Sequence, residues 1–472
     1  MTNPASIADT HHNAHPDLEM DSDLDNRLEN TDDLNYATLT EALEQTVFEN
    51  FDEGLYIGMM SGTSLDGMDA VLCQFSSNTD TGNKEETQQP MRLLASYSQD
   101  FPPRLREVLL ALCQPNGVKE LIASDAEPNS ENHSELDWFG WASREYGEFA
   151  SEVVNTLLTQ ADIDAELVLA IGCHGQTVRH RPQMGFSLQL LDANIIAERT
   201  GISVVSDFRR RDMAVGGQGA PLVPAFHQAL FATPDSTRVL LNLGGIANIT
   251  VLPAASDNSS NQPDNIVDNV EGNVVGYGVV GYDTGPANLL LDAWAALHTG
   301  KDYDAGGAWA QSGQVIEPLL NQLLEHPFFA KPYPKSTGRE DFNLAWLQDE
   351  LQTFDQTTAD IRYSAADVQA TLTELTAISA SSQITQFIKN NKNSAVYVCG
   401  GGALNDYLMS RLRTHLPQCS VETTASLGLE PTWVEAVAFA WLARQTLMGE
   451  TGNLPAVTGA SKNVVLGQVC FA

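Results

Sequence analysis

The acid Asp283 directly follows a short apolar run, residues 279–282, and stands before Thr284, Gly285 and Pro286. An acid at this place has two interpretations. It can cap the helix that the next residues predict, with Pro286 in the first turn. It can instead face a cleft and act as a general base. The residue types alone leave both roles open.

A polar tip separates two apolar runs in "IGMMSGTSLDGMDAVL", which begins at Ile57. A tight hairpin needs two or three turn residues, and this tip, residues 61–69, is longer. Its hydroxyl and backbone N–H groups are typical of a polyanion site. Asp66 or Asp69 can position Mg²⁺ there, usually through water, because Mg²⁺ dehydrates reluctantly. The alternative is a solvated surface loop.

Two further glycine-bearing tips, residues 244–248 and 400–405, also end apolar strands. Glycine lets a ligand approach the backbone closely, but any one such tip is more often a plain turn. Three of them together favour nucleotide phosphates. The predicted phosphate contacts in these two tips are Gly244, Gly245, Gly400, Gly401 and Gly402.

Two common nucleotide motifs do not explain these tips. The sequence contains no GxxxxGK[ST], which argues against a P-loop NTPase. It does contain GxGxxG at Gly276, Gly278 and Gly281. The last of these glycines lies inside a predicted strand instead of opening a helix, so the match is not a dinucleotide-binding fingerprint.

Several polar residues have the chemistry to hold a sugar. His174 and Gln176 follow a strand in "GCHGQT", although a structural histidine is an equal alternative. "SDFRRRDMAVGGQGAPLVP" carries three arginines, which bind carboxylates and phosphates in bidentate fashion. The sequence does not settle which arginine meets a ligand, and Arg210 and Arg211 are the predicted contacts. Glu435 in "VEAVAFAW" faces either the cleft or solvent.

The elements around these residues repeat once along the chain. Each half predicts a strand, a glycine-bearing tip, a second and a third strand, and then alternating helices and strands. This pattern predicts a duplicated α/β domain with mixed sheets and a cleft between the tips. Predicted strands cover 93–97, 167–172, 202–205, 279–282 and 395–398, and predicted helices cover 135–158, 286–297, 364–388 and 432–448.

Composition limits the possible partners. The net charge of −36 over 472 residues argues against nucleic-acid and anionic-membrane partners. The sequence shows no apolar run long enough to cross a bilayer and no secretory signal pattern, so we expect a cytoplasmic protein. The six scattered cysteines include no CxxC pair and indicate reduced thiols.

The N-terminal segment and three internal segments differ in composition from the rest of the chain. Residues 1–53 hold fourteen acids against the single base Arg27, which predicts a disordered acidic tail. Residues 76–90, 124–134 and 254–272 are predicted surface insertions. The predicted division is residues 54–203 with 446–472 for the first lobe and 204–445 for the second.

Nine stretches, in order from about residue 55 to the C-terminus, closely resemble the anhydro-N-acetylmuramic acid kinase family. They are long and unlike the motifs of other sugar kinases. The stretches are "YIGMMSGTSLDGMDAVL", "GCHGQTVRH", "SDFRRRDMAVGGQGAPLVPAFH", "LNLGGIANIT", "GYDTGPANLLLDAW", "PKSTGREDFN", "DVQATLTELTA", "VCGGGALN" and "NLPAVTGAS".

The resemblance implies the fold of the actin/Hsp70/sugar-kinase superfamily, with two RNase H-like lobes closing over ATP. It implies cleavage of the 1,6-anhydro bond of anhydro-N-acetylmuramic acid with phosphorylation of O6, consuming ATP and water, in cell-wall recycling. The cofactors would be ATP and Mg²⁺, with Asp66 near the metal through water, and a homodimer is possible.

The family's site residues carry over by position. Asp283 matches the catalytic base, and the "HGQT" and "FRRRD" matches support substrate contacts there. Glu435 fits a substrate-facing acid more weakly. The residues that match the ATP-binding loop are Gly62, Thr63, Ser64, Leu65, Asp66, Gly67, Met68 and Asp69.

Two other functions fit the same fold. An ordinary sugar kinase would phosphorylate a free hydroxyl without cleaving a bond. An ATP-driven binding module of the Hsp70 or actin type would need a peptide-binding domain or polymer contacts. Strong stimulation of ATP turnover by a small sugar would separate both enzymes from the binding module.

Overall fold

The computed structural model of the chain describes residues 51–62, 65–76, 90–114, 116–118, 134–254, 278–358, 360–388 and 394–472. Its contacts divide the chain into residues 1–49 and residues 50–472, and the described residues all belong to the second unit. The predictions for nearly all of the acidic tail, for Thr63 and Ser64, and for most of the three insertions lie outside the described residues.

The described strands form two mixed sheets and one hairpin, and the hairpin consists of β5 and β6. The order of strands is β13-β7-β4-β1-β2-β3 in the first sheet and β10-β9-β8-β11-β12 in the second. The bounds are β1 (Gly54–Met60), β2 (Gly67–Phe75), β3 (Met91–Asp100), β4 (Val168–Cys173), β5 (Gln176–Arg181), β6 (Phe186–Leu190), β7 (Val204–Ser206), β8 (Arg238–Leu243), β9 (Ile246–Leu252), β10 (Val280–Pro286), β11 (Ala395–Cys399), β12 (Ser420–Thr423) and β13 (Gln468–Cys470).

The two sheets repeat one topology over five strands. In the first sheet β1, β2 and β3 are antiparallel neighbours, and β4 and β7 continue in parallel on the other side of β1. In the second sheet β8, β9 and β10 are antiparallel neighbours, and β11 and β12 continue in parallel on the other side of β8. The predicted α/β fold with two RNase H-like lobes and mixed sheets is therefore confirmed.

Helices flank both sheets. Their bounds are α1 (Pro103–Cys113), α2 (Glu135–Ala161), α3 (Ala193–Thr200), α4 (Phe208–Ala214), α5 (Val223–Phe231), α6 (Asn288–Thr299), α7 (Ala308–Ser312), α8 (Glu317–Leu324), α9 (Pro327–Ala330), α10 (Leu344–Thr357), α11 (Ala365–Ile388), α12 (Asp406–His415), α13 (Val434–Leu447) and α14 (Pro455–Thr458). The helix predicted at 135–158 begins at Glu135 because Ser134 and Asp137 form a reciprocal capping box, which satisfies two N–H groups of the first turn.

Helix α13 packs on the first sheet although it comes late in the chain. A Cβ atom on Gly58 in β1 would lie 1.9 Å from the carbonyl oxygen of Ala436, and one on Gly172 in β4 would lie 2.0 Å from that of Phe439. No side chain fits at either place, so these two glycines let the helix backbone lie directly on the strands. This contact fixes Glu435 relative to the ends of β1 and β4.

A shared apolar core joins the two lobes. It contains Tyr56 and Val71 from the first sheet, Leu240 from the second sheet, and Phe226 and Phe439 from helices between them. Burial of such a contiguous apolar cluster is the main favourable contribution to folding. Among the described residues, no helix combines the length and the apolar character that crossing a membrane requires.

The predicted lobe boundaries place two elements, one strand and one helix, in the second lobe, but both belong with the first sheet. Strand β7 begins just after residue 203 and pairs with β4 and β13 in the first sheet. Helix α13 lies almost wholly before residue 446 and packs on the first sheet. The exact division into lobes stays a prediction, but these two elements belong with the first sheet.

Candidate active site

Asp283 lies inside strand β10, and the interpretation of this residue as a helix cap is wrong. Helix α6 begins at Asn288, its N-cap is Ala287, and no side chain caps it. Pro286 is the last residue of the strand and not part of the helix. One oxygen of the Asp283 carboxylate instead accepts a hydrogen bond from the backbone N–H of Thr337 at 3.0 Å.

The surroundings of Asp283 suit a base. Burial raises the pKa of its carboxyl to about 6, while the Thr337 N–H and the Ser336 side chain oppose this shift and the charge of Glu340 adds to it. The carboxylate is therefore ionised at neutral pH and yet more basic than an exposed aspartate. Enzymes raise carboxyl pKa values in this way to match a general base to its working pH.

Packing and an ion pair hold the first tip in place. Leu65 is buried in a left-handed conformation with φ of 59°, and its N–H donates to the carbonyl of Gly62 at 3.3 Å. Arg106 donates to the carbonyl of Leu65 at 2.8 Å and to the carboxylate of Asp66 at 3.0 Å. The side chain of Met68 is fully buried. The side chains of Leu65 and Met68 therefore belong to the core, and Asp66 is exposed beside Arg106.

Two other residues of the first tip also have structural contacts. A Cβ atom on Gly67 would lie 2.4 Å from the carbonyl oxygen of Gln99 in the neighbouring strand. Asp69 accepts a hydrogen bond from the hydroxyl of Ser98 at 2.7 Å. Burial raises the pKa of the Asp69 carboxyl. The predicted ATP contacts of this tip stay predictions.

The second and third tips lie against each other. The carbonyls of Gly244 and Gly245 accept hydrogen bonds from the first N–H groups of helix α6 and of the residue before it. Gly400 has φ of 80°, and a Cβ atom there would lie 2.5 Å from the side chain of Asn242 at the end of β8. A Cβ atom on Gly402 would lie 2.6 Å from the Leu243 side chain, so no larger residue fits there. Gly401 opens the short 3₁₀ turn that follows.

Electrostatic interactions connect the first tip to the second lobe. The charge of Asp69 helps to raise the pKa of Glu435, which accepts a hydrogen bond from the Asn242 side chain at 3.3 Å. Burial raises the pKa of Asp292 on helix α6 to about 7, and the charge of Asp66 adds to this shift. Residues from both lobes thus face one region, which agrees with the predicted cleft between the tips.

The buried His174 and the half-buried Arg209 form a pair beside Glu435. The guanidinium of Arg209 approaches Nε2 of His174 at 2.8 and 3.2 Å and donates to the carbonyl of Gly219 at 2.7 Å. Burial lowers the pKa of His174 well below its usual value, and the charge of Arg209 lowers it further. The imidazole is therefore neutral, and because Nε2 accepts from Arg209, its proton lies on Nδ1.

Two buried polar atoms near this pair lack a hydrogen-bond partner among the described residues. They are Nδ1 of His174 and Oε1 of Gln176, one donor and one acceptor. Such orphaned groups in a native structure call for an explanation, and a bound ligand is one. Glu435 lies close by, and burial raises its pKa while Arg209 opposes the shift. These three predicted substrate residues lie in one region.

The arginine nearest to these residues is Arg209, which the predicted contacts omit. Arg210 is exposed and pairs with Asp207, and Arg211 is exposed as well. The phase of helix α4 explains why Arg210 points away, because Arg210 lies opposite the buried residues Phe208 and Asp212. Read as a helix, "FRRRDMA" places Arg210 opposite Phe208 and Asp212 but does not distinguish Arg209 from Arg211.

Among the residues that the structure describes, no group of three or more histidine, cysteine or acidic side chains could hold a metal ion by itself. Mg²⁺ usually keeps several waters and binds one or two carboxylates together with substrate phosphates. Asp66 and Asp292, which interact electrostatically, fit this mode of binding. The donor set thus suits Mg²⁺ that is shared with a phosphate ligand.

Comparison with known proteins gives consistent results. A family model described as anhydro-N-acetylmuramic acid kinase matches residues 54–472. The anhydro-N-acetylmuramic acid kinase of Psychrobacter arcticus is 80% identical over 451 residues, covering 93% of this chain and 100% of the relative. That of Saccharophagus degradans is 46% identical over 421 residues, covering 88% and 98%.

Solved structures resemble the chain more distantly. The activator of 2-hydroxyisocaproyl-CoA dehydratase from Clostridium difficile, with bound ADPNP, is 12% identical with a TM-score of 0.36, covering 83% of this chain and 95% of that one. A ROK family glucokinase from Streptomyces griseus, in complex with glucose and AMPPNP, is 13% identical with a TM-score of 0.31, covering 83% and 100%. At these scores neither likeness supports an inference.

Proposed function

The chain belongs to the anhydro-N-acetylmuramic acid kinase family, and we propose that it converts 1,6-anhydro-N-acetylmuramic acid, ATP and water into N-acetylmuramic acid 6-phosphate and ADP. The observation that carries the proposal is the Asp283 carboxylate. It lies in strand β10, one oxygen is held by the Thr337 N–H, and burial raises its pKa to about 6. A base with these properties can activate water.

In the proposed reaction Asp283 takes a proton from a water molecule that attacks the anomeric carbon of the sugar. The bond between the anomeric carbon and O6 breaks, and O6 keeps the electron pair of that bond. O6 then attacks the γ-phosphorus of ATP, and ADP leaves. One proton is released overall, because the water supplies the new anomeric hydroxyl. The two bond changes need precise positioning more than covalent catalysis.

Other residues have supporting roles in this proposal. His174, Gln176 and Glu435 would contact the sugar, because two of them present buried polar atoms without partners and the third lies beside them. Arg209 holds His174 as the neutral Nδ1–H form. Bound Mg²⁺ would neutralise charge on the phosphates. Asp66, which the sequence predicts as its ligand through water, and Asp292 would hold it.

The three tips would contact ATP in this proposal. The first tip contributes residues 62–69, and the others contribute Gly244, Gly245 and residues 400–402. Their support is the charge interaction of Asp66 in the first tip with Asp292 on helix α6, and the hydrogen bond from Asn242 at the end of β8 to Glu435. We also propose a cytoplasmic location and a role in peptidoglycan recycling, because the reaction consumes ATP and a cell-wall sugar. A homodimer stays a prediction that the molar mass in solution would test.

The experiment is turnover of the purified full-length chain with the anhydro-sugar, ATP and Mg²⁺ in ¹⁸O-labelled water. We expect one labelled oxygen at the anomeric carbon and none in the phosphate. Rapid analysis is needed because the free sugar exchanges its anomeric oxygen slowly through ring opening. An ordinary sugar kinase would phosphorylate free N-acetylmuramic acid and incorporate no label during turnover. A binding module would hydrolyse ATP without any dependence on the sugar.

A further inference from the structure

A buried lysine lies next to the strand that carries Asp283. Lys335 is 7% exposed, and its ammonium group lies 3.3 Å from the carbonyl oxygens of both Phe328 and Phe329. The same group lies 4.5 Å from the centre of the Phe328 ring. A lysine is rarely buried this deeply unless it is paired, so its position calls for a function.

Carbonyl oxygens and a ring take the place of a carboxylate partner. In the part of the chain that the structure describes, no carboxylate lies within ion-pair distance of Lys335. Burial lowers the pKa of Lys335, and the charge of Lys331 lowers it further. Its two acceptors belong to the single turn of α9, and the Phe328 carbonyl also accepts the backbone N–H of Lys331 at 3.1 Å. Lys335 thus ties the loop after α9 back onto that helix.

The backbone of the same loop holds Asp283 at two points. The carbonyl of Lys335 accepts a hydrogen bond from the backbone N–H of Asp283 at 3.1 Å. Two residues further on, the N–H of Thr337 donates to the Asp283 carboxylate at 3.0 Å. The Thr337 hydroxyl in turn donates to Asp341 at 2.8 Å. The loop therefore sets both the main chain and the side-chain oxygen of Asp283.

We propose that Lys335 is a positioning residue for the base, because its side chain anchors the loop that aligns the Asp283 carboxylate. This proposal rests on the proposed function, in which Asp283 activates water. Lys335 itself contacts no reacting atom. It acts through the Thr337 N–H, which fixes one oxygen of the carboxylate, while the Ser336 side chain from the same loop also hydrogen-bonds the carboxyl.

Removal of the ammonium group takes the side-chain donor away from the Phe328 and Phe329 carbonyls, of which Phe328 keeps the Lys331 N–H, and the loop can then relax. A displacement of about 1 Å at a catalytic group can lower the rate about a hundredfold. The Thr337 N–H stabilises the ionised form of Asp283, so its loss would raise the pKa of that carboxyl above about 6. The charge of Glu340, which also raises the pKa of Asp283, would stay unchanged.

The test compares Lys335→Met with Lys331→Met in the full-length protein. Both lysines lie over the Phe328 ring, but Lys331 is exposed, with its ammonium 5.8 Å from the ring centre. For Lys335→Met we expect a fall in kcat of about tenfold or more and little change in the KM for ATP. We also expect the fall of kcat at low pH, here called the acid limb, to be displaced to higher pH. Lys331→Met should match the wild type in all three.

Lys335→Arg keeps the charge and the donors, so we expect it to retain more of the rate and less of the displacement. It also serves as the test if Lys335→Met does not fold. The proposal is overturned if both Lys335 variants melt at lower temperature but keep the wild-type kcat and acid limb. A displacement to lower pH would equally refute the route through the Thr337 N–H. Wild-type turnover of the anhydro-sugar, measured first, shows separately whether the proposed function holds.

Discussion

Asp283→Asn removes the base and leaves most of the surrounding contacts intact. The amide oxygen of asparagine can still accept the hydrogen bond from the Thr337 N–H, which spans 3.0 Å in the wild type. The variant cannot take a proton from water at neutral pH. We expect kcat with the anhydro-sugar to fall by about a hundredfold or more, the scale of general-base removal, while ATP still binds.

The pKa of Asp283 determines how strongly the kcat of the wild type depends on pH. With a pKa of about 6, Asp283 is ionised in roughly nine-tenths of molecules at pH 7 and in roughly one-tenth at pH 5. The kcat should therefore fall about tenfold between these pH values. An aspartate at its ordinary pKa of 3.8 would leave kcat nearly constant over this range. The residual activity of Asp283→Asn should show no such acid limb.

The same pKa predicts the effect on stability, and its sign is opposite to the effect on activity. A folded-state pKa raised from 3.8 to about 6 means that ionised Asp283 destabilises the native state above pH 6. The cost is at most about 3 kcal/mol, or roughly 3 °C in Tm for a chain of this size. Asp283→Asn should therefore melt higher than the wild type at pH 7, and the difference should shrink as the pH falls towards 4.

Asp304→Asn is the matched control. The Asp304 carboxylate accepts backbone N–H bonds from Trp309 and Ala310, each at 2.9 Å, and has no role in the proposed reaction. This control should lose stability and keep the acid limb. The assays are ADP release across pH 5–8 and thermal unfolding at several pH values. Near-normal turnover by folded Asp283→Asn, or a wild-type acid limb near pH 4, would refute this account of Asp283.

Three further predictions concern other parts of the chain. Arg209→Met should raise the KM for the anhydro-sugar about tenfold or more, because His174 loses the donor that sets its tautomer. Arg210→Met should leave this KM unchanged, and steady-state kinetics of both variants checks the difference. Asp212→Asn should lower the free energy of unfolding by about 2–4 kcal/mol in denaturant titrations, because the fully buried carboxylate accepts from three donors and an amide group would face at least one of them. Deletion of residues 1–50 should leave turnover with the anhydro-sugar unchanged, and a collapse in turnover with the remaining fold intact would show that the acidic tail belongs to the site.

Local patterns in the sequence were enough to predict most elements of the fold. Apolar spacing predicted the long helix near 135–158, and a second long helix was predicted near 364–388; the structure has them at Glu135–Ala161 and Ala365–Ile388. The repeat of strand, glycine-bearing tip and strand predicted the duplication that both sheets show. These features depend on residues close together in the chain, whose side-chain period and turn propensity are readable without a fold.

The role of Asp283 depended on a contact that is distant in sequence. Its own neighbours, with Gly285 and Pro286, fitted a helix cap as well as a base. The structure excludes the helix cap, and the loop that carries Lys335 and Thr337, more than fifty residues later, supplies hydrogen bonds to the Asp283 main chain and carboxylate; the role as a base stays a prediction. No local pattern encodes which loop packs beside a given strand, because that depends on how the lobe closes.

The sequence by itself determined the family and the two-lobed α/β fold, whereas the candidate base, which it placed at a strand end, lies inside strand β10. Only the tertiary structure decided that Arg209, and not Arg210, meets His174, because the buried face of a seven-residue helix sets which arginine points inward. It also decided that α13 lies on the first sheet, where Gly58 and Gly172 admit its backbone. Periodicity and motifs are local properties, whereas helix phase against a neighbour and close backbone approach arise only when distant segments pack together.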